Sequence, residues 1–286
     1  MKIFQPFTAF GDAVPQSPVI ISVPHAGRAY FSAIAAQTRL TREQLVPLED
    51  RFADMLAAPA FAAGFSGIIA HTPRCWIDLN RGEREYDPAM LRDRQPTHPI
   101  MSSKVRGGLG LIPRRIASGG DIWRQPITSD DFNRRLNVHY RPYHTALADM
   151  LKRTRDCFGI AVLIDLHSMP PITNADGAIT PQIVVGDRFN RSSHDRFTGR
   201  VLAVARRNQI SAAVNHPYAG GHILDRHADP ATNIHGVQIE IDRSLYLEAD
   251  RLTPNEGLAR MQRIVSEIAL AMADEACGQP LAIAAE

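Results

Sequence analysis

The sequence has few cysteines, little net charge and no long hydrophobic run, and each shortage excludes a class of protein. Its three cysteines show no paired spacing, so we expect reduced thiols and a cytoplasmic protein. A formal net charge of +2 over 286 residues gives no reason to expect nucleic acid or an anionic membrane as a partner. The apolar stretches are too short to span a bilayer, and residues 1–18 do not resemble a signal peptide.

The motifs of two common enzyme classes are missing as well. Residues 107–110 are rich in glycine, but they lack the Gly-Lys-Ser/Thr ending and the preceding strand of a phosphate-binding loop. Ser168 lies outside any Gly-x-Ser-x-Gly elbow, and no histidine arrangement marks Cys75 as a nucleophile. No repeat, linker or low-complexity tract divides the chain, so we predict that residues 1–286 form one domain.

Strand-like and helix-like segments alternate along the chain, whose composition of 44% hydrophobic and 22% charged residues is ordinary for a globular protein. Several segments are apolar throughout, which is typical of strands buried on both faces of a sheet. The sequence therefore predicts an α/β fold with a central, mostly parallel or mixed sheet and helices on both sides. The predicted strands are residues 18–24, 66–70, 76–79, 160–166, 183–185 and 237–241.

Capping patterns mark the predicted helices. Thr41 and Gln44 form a capping box for a helical region that extends to about Ala63, and Pro47 and Pro59 are expected to break it. The other predicted helices are a long one that opens with Thr128-x-x-Asp131, one near residues 193–207, and a final one capped by Thr253-Pro254-x-Glu256.

Residues 84–126 carry five prolines and five glycines without a sustained period. A long irregular stretch in a compact domain is usually functional or disordered, and the apolar residues Leu111, Ile112 and Trp123 argue against disorder. We interpret this stretch as a folded wall or lid over the functional site. Its cations are either solvated or add positive potential for an anionic substrate; they are Lys104, Arg106, Arg114 and Arg115.

Two histidines, His25 and His167, follow strand-like runs. Ligands in open α/β folds bind beyond the carboxyl ends of strands, where both histidines are expected. Each histidine alone is more simply explained as a hydrogen-bonded side chain at a strand end. Together, and far apart in the chain, they suit a catalytic metal site assembled from separate strands.

Glu240 is the candidate catalytic carboxylate. Strand alternation places it on the same face as Gln238 and Asp242, with apolar residues on the other face. The functional interpretation makes Glu240 a general base that takes a proton from the attacking water. The alternative is an ordinary half-exposed strand.

Asn80 and Arg81 follow another strand-like run and can recognise a substrate carboxylate, since a guanidinium binds carboxylates bidentately. The alternative is a surface ion pair between Arg81 and Glu83 or Glu85.

Two acidic residues and one loop complete the candidates. Asp50 and Asp54 have the i, i+4 spacing of a helix face, so either can ligate a metal or both can decorate a solvated turn. Residues 217–222 form a glycine-containing loop that offers the phenol of Tyr218.

As a set, five segments resemble the N-formylglutamate amidohydrolase family, over roughly residues 18–248. The matching segments are Ser22-Val-Pro-His-Ala-Gly27, Trp76-Ile-Asp-Leu-Asn-Arg-Gly82, Ile164-Asp-Leu-His-Ser168, Pro217-Tyr-Ala-Gly-Gly221 and Val237-Gln-Ile-Glu-Ile-Asp-Arg-Ser-Leu-Tyr246.

The resemblance implies a fold of the zinc-peptidase (phosphorylase/hydrolase-like) type, distantly similar to zinc carboxypeptidases and aspartoacylase-like deacylases. It implies a Zn²⁺ ion, or another divalent metal, and hydrolysis of N-formyl-L-glutamate to formate and L-glutamate, a step of histidine degradation. The implied partner is a small anionic N-acyl amino acid. The implied roles are metal binding by His25, His167 and Asp50, catalysis by Glu240, and binding of one substrate carboxylate by Asn80 and Arg81. Arg74, Arg106 or Arg114 is the candidate for the second carboxylate, and Tyr218 and Gly220 complete the expected substrate-binding residues.

One position departs from the pattern of the relatives, which place a glutamate ligand three residues after the first histidine. Arg28 occupies that position here and cannot ligate a metal. The segment from Glu49 to Asp54 resembles the family's acidic helix start, and within it we favour Asp50 over Glu49 and Asp54. A deacylase or decarbamoylase for another N-acyl amino acid, and a non-catalytic binding protein on the same fold, are the alternatives.

Overall fold

The computed structural model describes residues 4–93, 98–116, 120–173 and 180–278, which form an α/β fold. A seven-stranded mixed sheet has the strand order β1-β3-β2-β6-β9-β7-β8. Its strands are β1 (Phe7–Phe10), β2 (Val19–Val23), β3 (Ser66–Ala70), β6 (Ala161–Met169), β7 (Ile183–Gly186), β8 (Ala212–Val214) and β9 (Ile234–Asp242), and a separate two-stranded ribbon contains β4 (Arg115–Ile116) and β5 (Gly120–Asp121). The predicted fold class, with a central mixed sheet flanked by helices, is confirmed.

The helices are α1 (Ser32–Gln37), α2 (Arg42–Leu45), α3 (Ala53–Ala62), α4 (Ser103–Arg106), α5 (Ser129–Arg135), α6 (Arg141–Phe158), α7 (Asp195–Arg207), α8 (His222–His227) and α9 (Leu258–Cys277). The described residues pack into two compact units. One comprises residues up to Thr8, Val23–Arg51 and Ile68–Ala146, and the other comprises Ala9–Ser22, Phe52–Gly67 and the described residues from Leu147 onward. That the whole chain acts as one catalytic domain stays a prediction.

The second unit is organised around β6 and β9, which are parallel and paired along their whole lengths. All nine residues of β6 are buried, as expected for a strand covered on both faces. Helices α3 and α7 pack against α9. The buried stripe of α9 includes Met261, Ile264, Val265, Ile268 and Met272, at the three- and four-residue spacing of a helix face.

The first unit contains the irregular region that the sequence predicts. Its described residues are folded: Leu111, Ile112 and Trp123 are buried, and the indole Nε1 of Trp123 donates to the carbonyl oxygen of Pro113 at 2.7 Å. Arg135 is fully buried, with its guanidinium carbon 3.4 Å from the ring centroid of Trp76 and 4.6 Å from that of Trp123. Whether the region is a wall or lid of the functional site stays a prediction.

The strand predicted at residues 76–79 is absent, and loop and turn structure replaces it. The carboxylate of Asp78 accepts the backbone N–H of Asn80 at 2.8 Å, and the N–H of Asp78 itself bonds to the carbonyl of Leu111. A short polar side chain that captures a neighbouring N–H competes with a strand ladder. Asn80 and Arg81 therefore do not follow a strand.

The helical region predicted from Thr41 to Ala63 also differs. The capping box at Thr41 is present, but α2 is short and α3 begins only at Ala53, after Phe52 in a left-handed conformation with φ of 62°. Asp50 lies between the helices, so its predicted helical spacing with Asp54 is wrong. Pro59 lies inside α3 and does not end it.

Two further boundaries are corrected. The final helix begins at Leu258 rather than at Thr253, because the Thr253 hydroxyl and backbone N–H bond to Asp250 instead of capping a helix. Strand β6 continues to Met169, so His167 lies within the strand rather than after it.

Candidate metal and catalytic site

The structure brings His25, Asp50 and His167 together. One imidazole nitrogen from each histidine and one carboxylate oxygen of Asp50 all lie within 4.8 Å of one another, and all three residues are buried. His25 lies two residues after β2, and the backbone N–H of Asp50 bonds to the carbonyl oxygen of His25 at 2.9 Å. Two imidazoles and a carboxylate form a typical donor set of catalytic zinc sites, so these residues fit a divalent metal.

His25 is oriented by a buried aspartate. Its Nε2 lies 2.7 Å from Oδ1 of Asp78, whose other oxygen accepts a hydrogen bond from Nε of Arg74 at 2.9 Å. Burial alone would raise the pKa of Asp78, but the charges of Arg74, Arg81 and His25 hold it well below its usual range. The ionised carboxylate accepts the Nε2–H of His25, so Nδ1 is the unprotonated nitrogen. That Nδ1 lies 3.4 Å from Oδ2 of Asp50.

His167 has the same kind of support. Its Nε2 lies 2.9 Å from Oδ2 of Asp165, and Oδ1 of Asp165 accepts a 2.9 Å hydrogen bond from the hydroxyl of Ser22. Ser22 and Asp165 are register partners on the parallel strands β2 and β6. The ionised carboxylate of Asp165 would accept the Nε2 proton of His167, which makes Nδ1 the unprotonated nitrogen. Sequence reasoning missed Ser22 and the roles of Asp78 and Asp165, although the Asp-x-His spacing within a strand puts both side chains on one face.

The other acidic candidates near Asp50 have different surroundings. Glu49 is buried, and its two carboxylate oxygens accept the hydroxyl of Tyr30 at 2.8 Å and Nη1 of Arg51 at 2.9 Å. Asp54 is partly exposed in the first turn of α3. Among the described residues, the cluster with His25 and His167 contains Asp50 and neither Glu49 nor Asp54.

Glu240 lies beside His167 on the neighbouring strand. The two residues are register partners of β6 and β9, so their side chains leave the same face of the sheet. Glu240 is 9% exposed, and its Oε1 accepts a 2.9 Å hydrogen bond from Nε2 of Gln238. The ordinary half-exposed strand considered as the alternative is wrong, because this strand is buried almost throughout.

Arg81 is buried and does not form a surface ion pair. Its Nε donates to the carbonyl oxygen of Leu109 at 2.9 Å, and its Nη1 donates to the carbonyl oxygen of Asn80 at 2.6 Å. Glu83 instead binds Arg141, and Glu85 accepts the backbone N–H of Gly82. The predicted alternative pairing of Arg81 with these two glutamates is therefore wrong.

The remaining candidates have mixed surroundings. Arg74 is committed to Asp78, while Nε of Arg114 lies 2.9 Å from Oδ2 of Asp87. Arg106 is exposed in the last turn of α4. Tyr218 and Gly220 lie on the loop before α8 and are partly buried.

Two observations limit other functions. Burial raises the pKa of the Cys75 thiol to about 12, although the charge of Arg135 opposes the shift, so this cysteine is a poor nucleophile. Across the described ranges, we find no helix with the length and apolar character needed to cross a membrane.

Comparisons with known proteins match the chain to one family. The model of the N-formylglutamate amidohydrolase family matches residues 17–247. An N-formylglutamate deformylase from Pseudomonas putida is 30% identical over 255 residues, covering 87% of this chain and 89% of the relative. A second N-formylglutamate deformylase, from Pseudomonas aeruginosa, is 25% identical over 241 residues, covering 81% and 82%.

Two solved structures have a similar fold. The crystal structure of N-formylglutamate amidohydrolase from Ralstonia eutropha JMP134 superposes with a TM-score of 0.88 at 30% identity, covering 95% of this chain and 98% of that one. A protein from Agrobacterium tumefaciens shares the fold, with a TM-score of 0.65 at 17% identity and coverages of 95% and 96%. The chain therefore belongs to the N-formylglutamate amidohydrolase family.

Proposed function

We propose that the protein is a metal-dependent amidohydrolase that converts N-formyl-L-glutamate and water to formate and L-glutamate. The names of the two Pseudomonas relatives and of the Ralstonia structure support this substrate, since each covers most of its own length and of this chain. A cytoplasmic role in histidine degradation is part of the proposal. The three free cysteines, Cys75, Cys157 and Cys277, support the location.

His25, Asp50 and His167 would hold the metal, which we propose to be zinc. When bound, such an ion lowers the pKa of water toward about 7 and polarises the amide carbonyl. Asp78 and Asp165 hold the two imidazoles in one orientation by accepting their Nε2 protons.

Glu240 moves the protons. Its carboxylate takes a proton from the attacking water and delivers it to the leaving amine, which lets one group serve as base and then as acid. The hydrogen bond from Gln238 to Oε1 of Glu240 holds this carboxylate in place for the transfer.

Asn80 and Arg81 bind one carboxylate of the substrate. Arg81 donates to two carbonyl oxygens, and its Nη2 lies 3.9 Å from Oδ2 of Asp78, so its guanidinium is held in one orientation, which suits recognition of a planar anion. The second carboxylate of the substrate is assigned to Arg74, Arg106 or Arg114. Of these, Arg106 is exposed in α4, whereas Arg74 and Arg114 form ion pairs with Asp78 and Asp87. Tyr218 and Gly220 complete the proposed set of substrate-binding residues.

One observation carries the proposal: two histidines, each turned by its own buried aspartate, converge with Asp50. A binding protein that had lost its metal would have no need for both aspartates. A buried carboxylate is costly, and each of these two accepts a hydrogen bond from an imidazole of the cluster.

The test is a metal analysis and a substrate panel. Protein purified without chelator should contain close to one divalent ion per chain, and that ion should be lost on dialysis against a chelator. The zinc-loaded protein should then hydrolyse N-formyl-L-glutamate faster than the N-acetyl, N-succinyl and N-carbamoyl analogues. If another N-acyl analogue is hydrolysed faster, that compound replaces N-formyl-L-glutamate as the proposed substrate. Absence of turnover on the whole panel would contradict the enzyme assignment.

A further inference from the structure

We propose that Gly186 and Arg188 are positioning residues that fix the loop of residues 217–221 onto the sheet face that carries His167 and Glu240. The loop, called the Tyr218 loop below, would then form a rigid wall of the substrate pocket and govern substrate affinity. This inference rests on the proposed function for the identity of the bound molecule, but the anchoring of the loop can be tested without it.

Three adjacent strands, β6, β9 and β7, fix the position of Gly186 relative to the proposed site through their register. His167 on β6 is paired with Glu240 on β9, and Glu240 is paired in turn with Val184 on β7. Gly186 is paired with Gln238, two residues from Glu240. Because paired residues in a ladder point to the same side of a sheet, Gly186 faces the side that carries the proposed base and the second histidine.

Gly186 is a point of close backbone approach. A Cβ atom added to it would lie 2.6 Å from the carbonyl carbon of Ala219 and 2.7 Å from the nitrogen of Gly220. The loop backbone therefore lies directly on the sheet where a side chain would otherwise stand. Gly186 and Glu240 are diagonal neighbours on adjacent strands, and such neighbours are about 7–8 Å apart. One small substrate could therefore contact both Glu240 and the loop that lies on Gly186.

The helix that follows the loop uses a second glycine on the same face. Gly236 precedes Gln238 by two residues on β9, and a Cβ at Gly236 would lie 2.9 Å from Cδ2 of Leu224 and 2.9 Å from Cβ of Ala228. Helix α8, which contains Leu224, is therefore held close to the sheet independently of the loop. Because Gly186 and Gly236 have no side chains, the continuous segment of residues 217–228 can pack closely against the sheet.

Arg188 ties the loop to the end of β7 through both backbone and side chain. Its N–H donates to the carbonyl oxygen of Ala219 at 2.8 Å, and its Nη1 donates to the carbonyl oxygen of Gly220 at 3.3 Å. Its Nε lies 2.6 Å from Oδ1 of Asp225 in α8. Gly220 has φ of +109°, so the loop adopts a backbone conformation that L side chains rarely accept.

The segment that carries Arg188 is itself strained and braced. Arg188, Phe189 and Asn190 all have positive φ, between 55° and 63°. Buried Asp187 supports the turn by accepting the N–H of Asn190 at 3.0 Å and the side-chain amide of Asn215 at 2.7 Å. Consecutive left-handed residues persist only where surrounding contacts enforce them, and they cluster at functional sites. The bracing therefore serves a loop whose position matters.

The experiment compares Arg188→Met with Arg200→Met. Arg200 lies in α7 and forms an exposed pair with Glu275, its Nη2 at 2.6 Å from Oε2, so it matches the chemistry of Arg188 away from the loop. Arg188→Met should raise KM for the fastest substrate of the panel by about tenfold while kcat changes less than about threefold. Amide hydrogen exchange of residues 217–221 should rise, and metal content should stay unchanged. Arg200→Met should leave all four quantities as in the unmodified protein.

Gly186→Ala gives a second, independent variant. Its control is Gly199→Ala, since a Cβ at Gly199 meets no heavy atom within 4 Å. Gly186→Ala should displace the loop, raising KM and the exchange of the same amides, while Gly199→Ala should change neither. Unchanged exchange in folded Arg188→Met would overturn the anchoring. Raised exchange with an unchanged KM would overturn the role in substrate affinity. Failure of the unmodified protein on N-formyl-L-glutamate alone would refute the substrate and not the anchoring.

Discussion

The hydroxyl of Ser22 donates a 2.9 Å hydrogen bond to Oδ1 of Asp165, and the other oxygen of that carboxylate lies 2.9 Å from Nε2 of His167. A buried chain of this kind fixes the imidazole in one tautomer and one orientation. Outer partners of ligating histidines typically contribute about 10–100-fold to metal affinity.

Asp165→Asn should therefore weaken metal binding by about 10–100-fold, because a neutral amide is a poorer acceptor and can turn its nitrogen toward His167. Competition with a chromophoric chelator measures this without any assay of activity. Ser22→Ala leaves the contact between Asp165 and His167 intact, so its effect should be smaller. Equal affinities for Asp165→Asn and the unmodified protein would show that His167 does not bind the metal through this arrangement.

Asp50 is expected to be the carboxylate ligand. Asp50→Ala should abolish stoichiometric metal at micromolar concentrations, because the cluster would retain only two imidazoles. Asp54→Ala, four residues away and partly exposed, is the matched control and should retain the metal. Elemental analysis after gel filtration distinguishes them, and a metal-free Asp54→Ala protein would move the ligand to that residue.

Glu240→Gln should keep the metal and lose turnover. Glutamine preserves the shape of the side chain but cannot accept a proton, and a lost general base costs about 10²–10⁴ in rate. The measurement is kcat together with metal content on the same preparation. Turnover within a factor of about three of the unmodified protein would remove Glu240 from the proton transfers.

The strands predicted at residues 18–24, 66–70, 160–166, 183–185 and 237–241 correspond to β2, β3, β6, β7 and β9, because apolar runs record burial directly. The cap predicted at Thr128 is present, whereas the one predicted at Thr253 is wrong. The strand-end argument predicted the position of His25, two residues after β2, but His167 lies within β6, where it is in register with Glu240. The strand at residues 76–79 failed because the Asp78 side chain captures the N–H of Asn80, a local bond that hydrophobicity does not reveal.

The partners of the histidines could not be chosen from sequence alone. Asp78 is 53 positions from His25, and Ser22 is 143 positions from Asp165, so no local spacing connects them. Asp50 was selected among three neighbouring acidic residues only by resemblance. The folded structure distinguishes Asp50 from its neighbour. In the segment between α2 and α3, Glu49 binds Tyr30 and Arg51, whereas Asp50 lies with His25 and His167.

Acid should destabilise the fold through buried histidines away from the metal cluster. Burial lowers the pKa of His235 from 6.5 to about 4, aided by the charges of His194 and Arg196. Above pH 6.5 both folded and unfolded states are neutral at this residue, so its contribution is complete there. Between pH 6.5 and about 4 only the unfolded state binds the proton, and stability falls by up to about 1.4 kcal/mol per pH unit.

His235→Phe should flatten this dependence. The ring packs against Phe197, and neither of its nitrogens has a hydrogen-bond partner in the described part of the chain, so phenylalanine preserves the packing. Urea unfolding of the unmodified and variant proteins at pH 7, 6, 5 and 4.5 gives the slopes. The exposed His98→Gln variant serves as control, and a slope for His235→Phe equal to that of the control would contradict the prediction.

Arg81 is expected to contribute both to substrate recognition and to folding, because its guanidinium is buried and holds the carbonyl oxygens of Leu109 and Asn80. Arg81→Met leaves those carbonyls without their donor and should cost about 1–3 kcal/mol of stability. It should also lower kcat/KM for N-formyl-L-glutamate by about tenfold to more than a hundredfold, since a charge-assisted bond to a carboxylate contributes about 1.5–3 kcal/mol.

Arg81→Lys separates the two contributions. Lysine keeps the positive charge but lacks the planar fork, so it should recover part of the stability and little of the catalytic loss. An amide analogue without the recognised carboxylate should be turned over equally poorly by the unmodified protein and by Arg81→Met, because that substrate never used the interaction. If the variant instead slows both substrates by the same factor, Arg81 only maintains the local backbone, and the carboxylate must be bound by Arg74, Arg106 or Arg114.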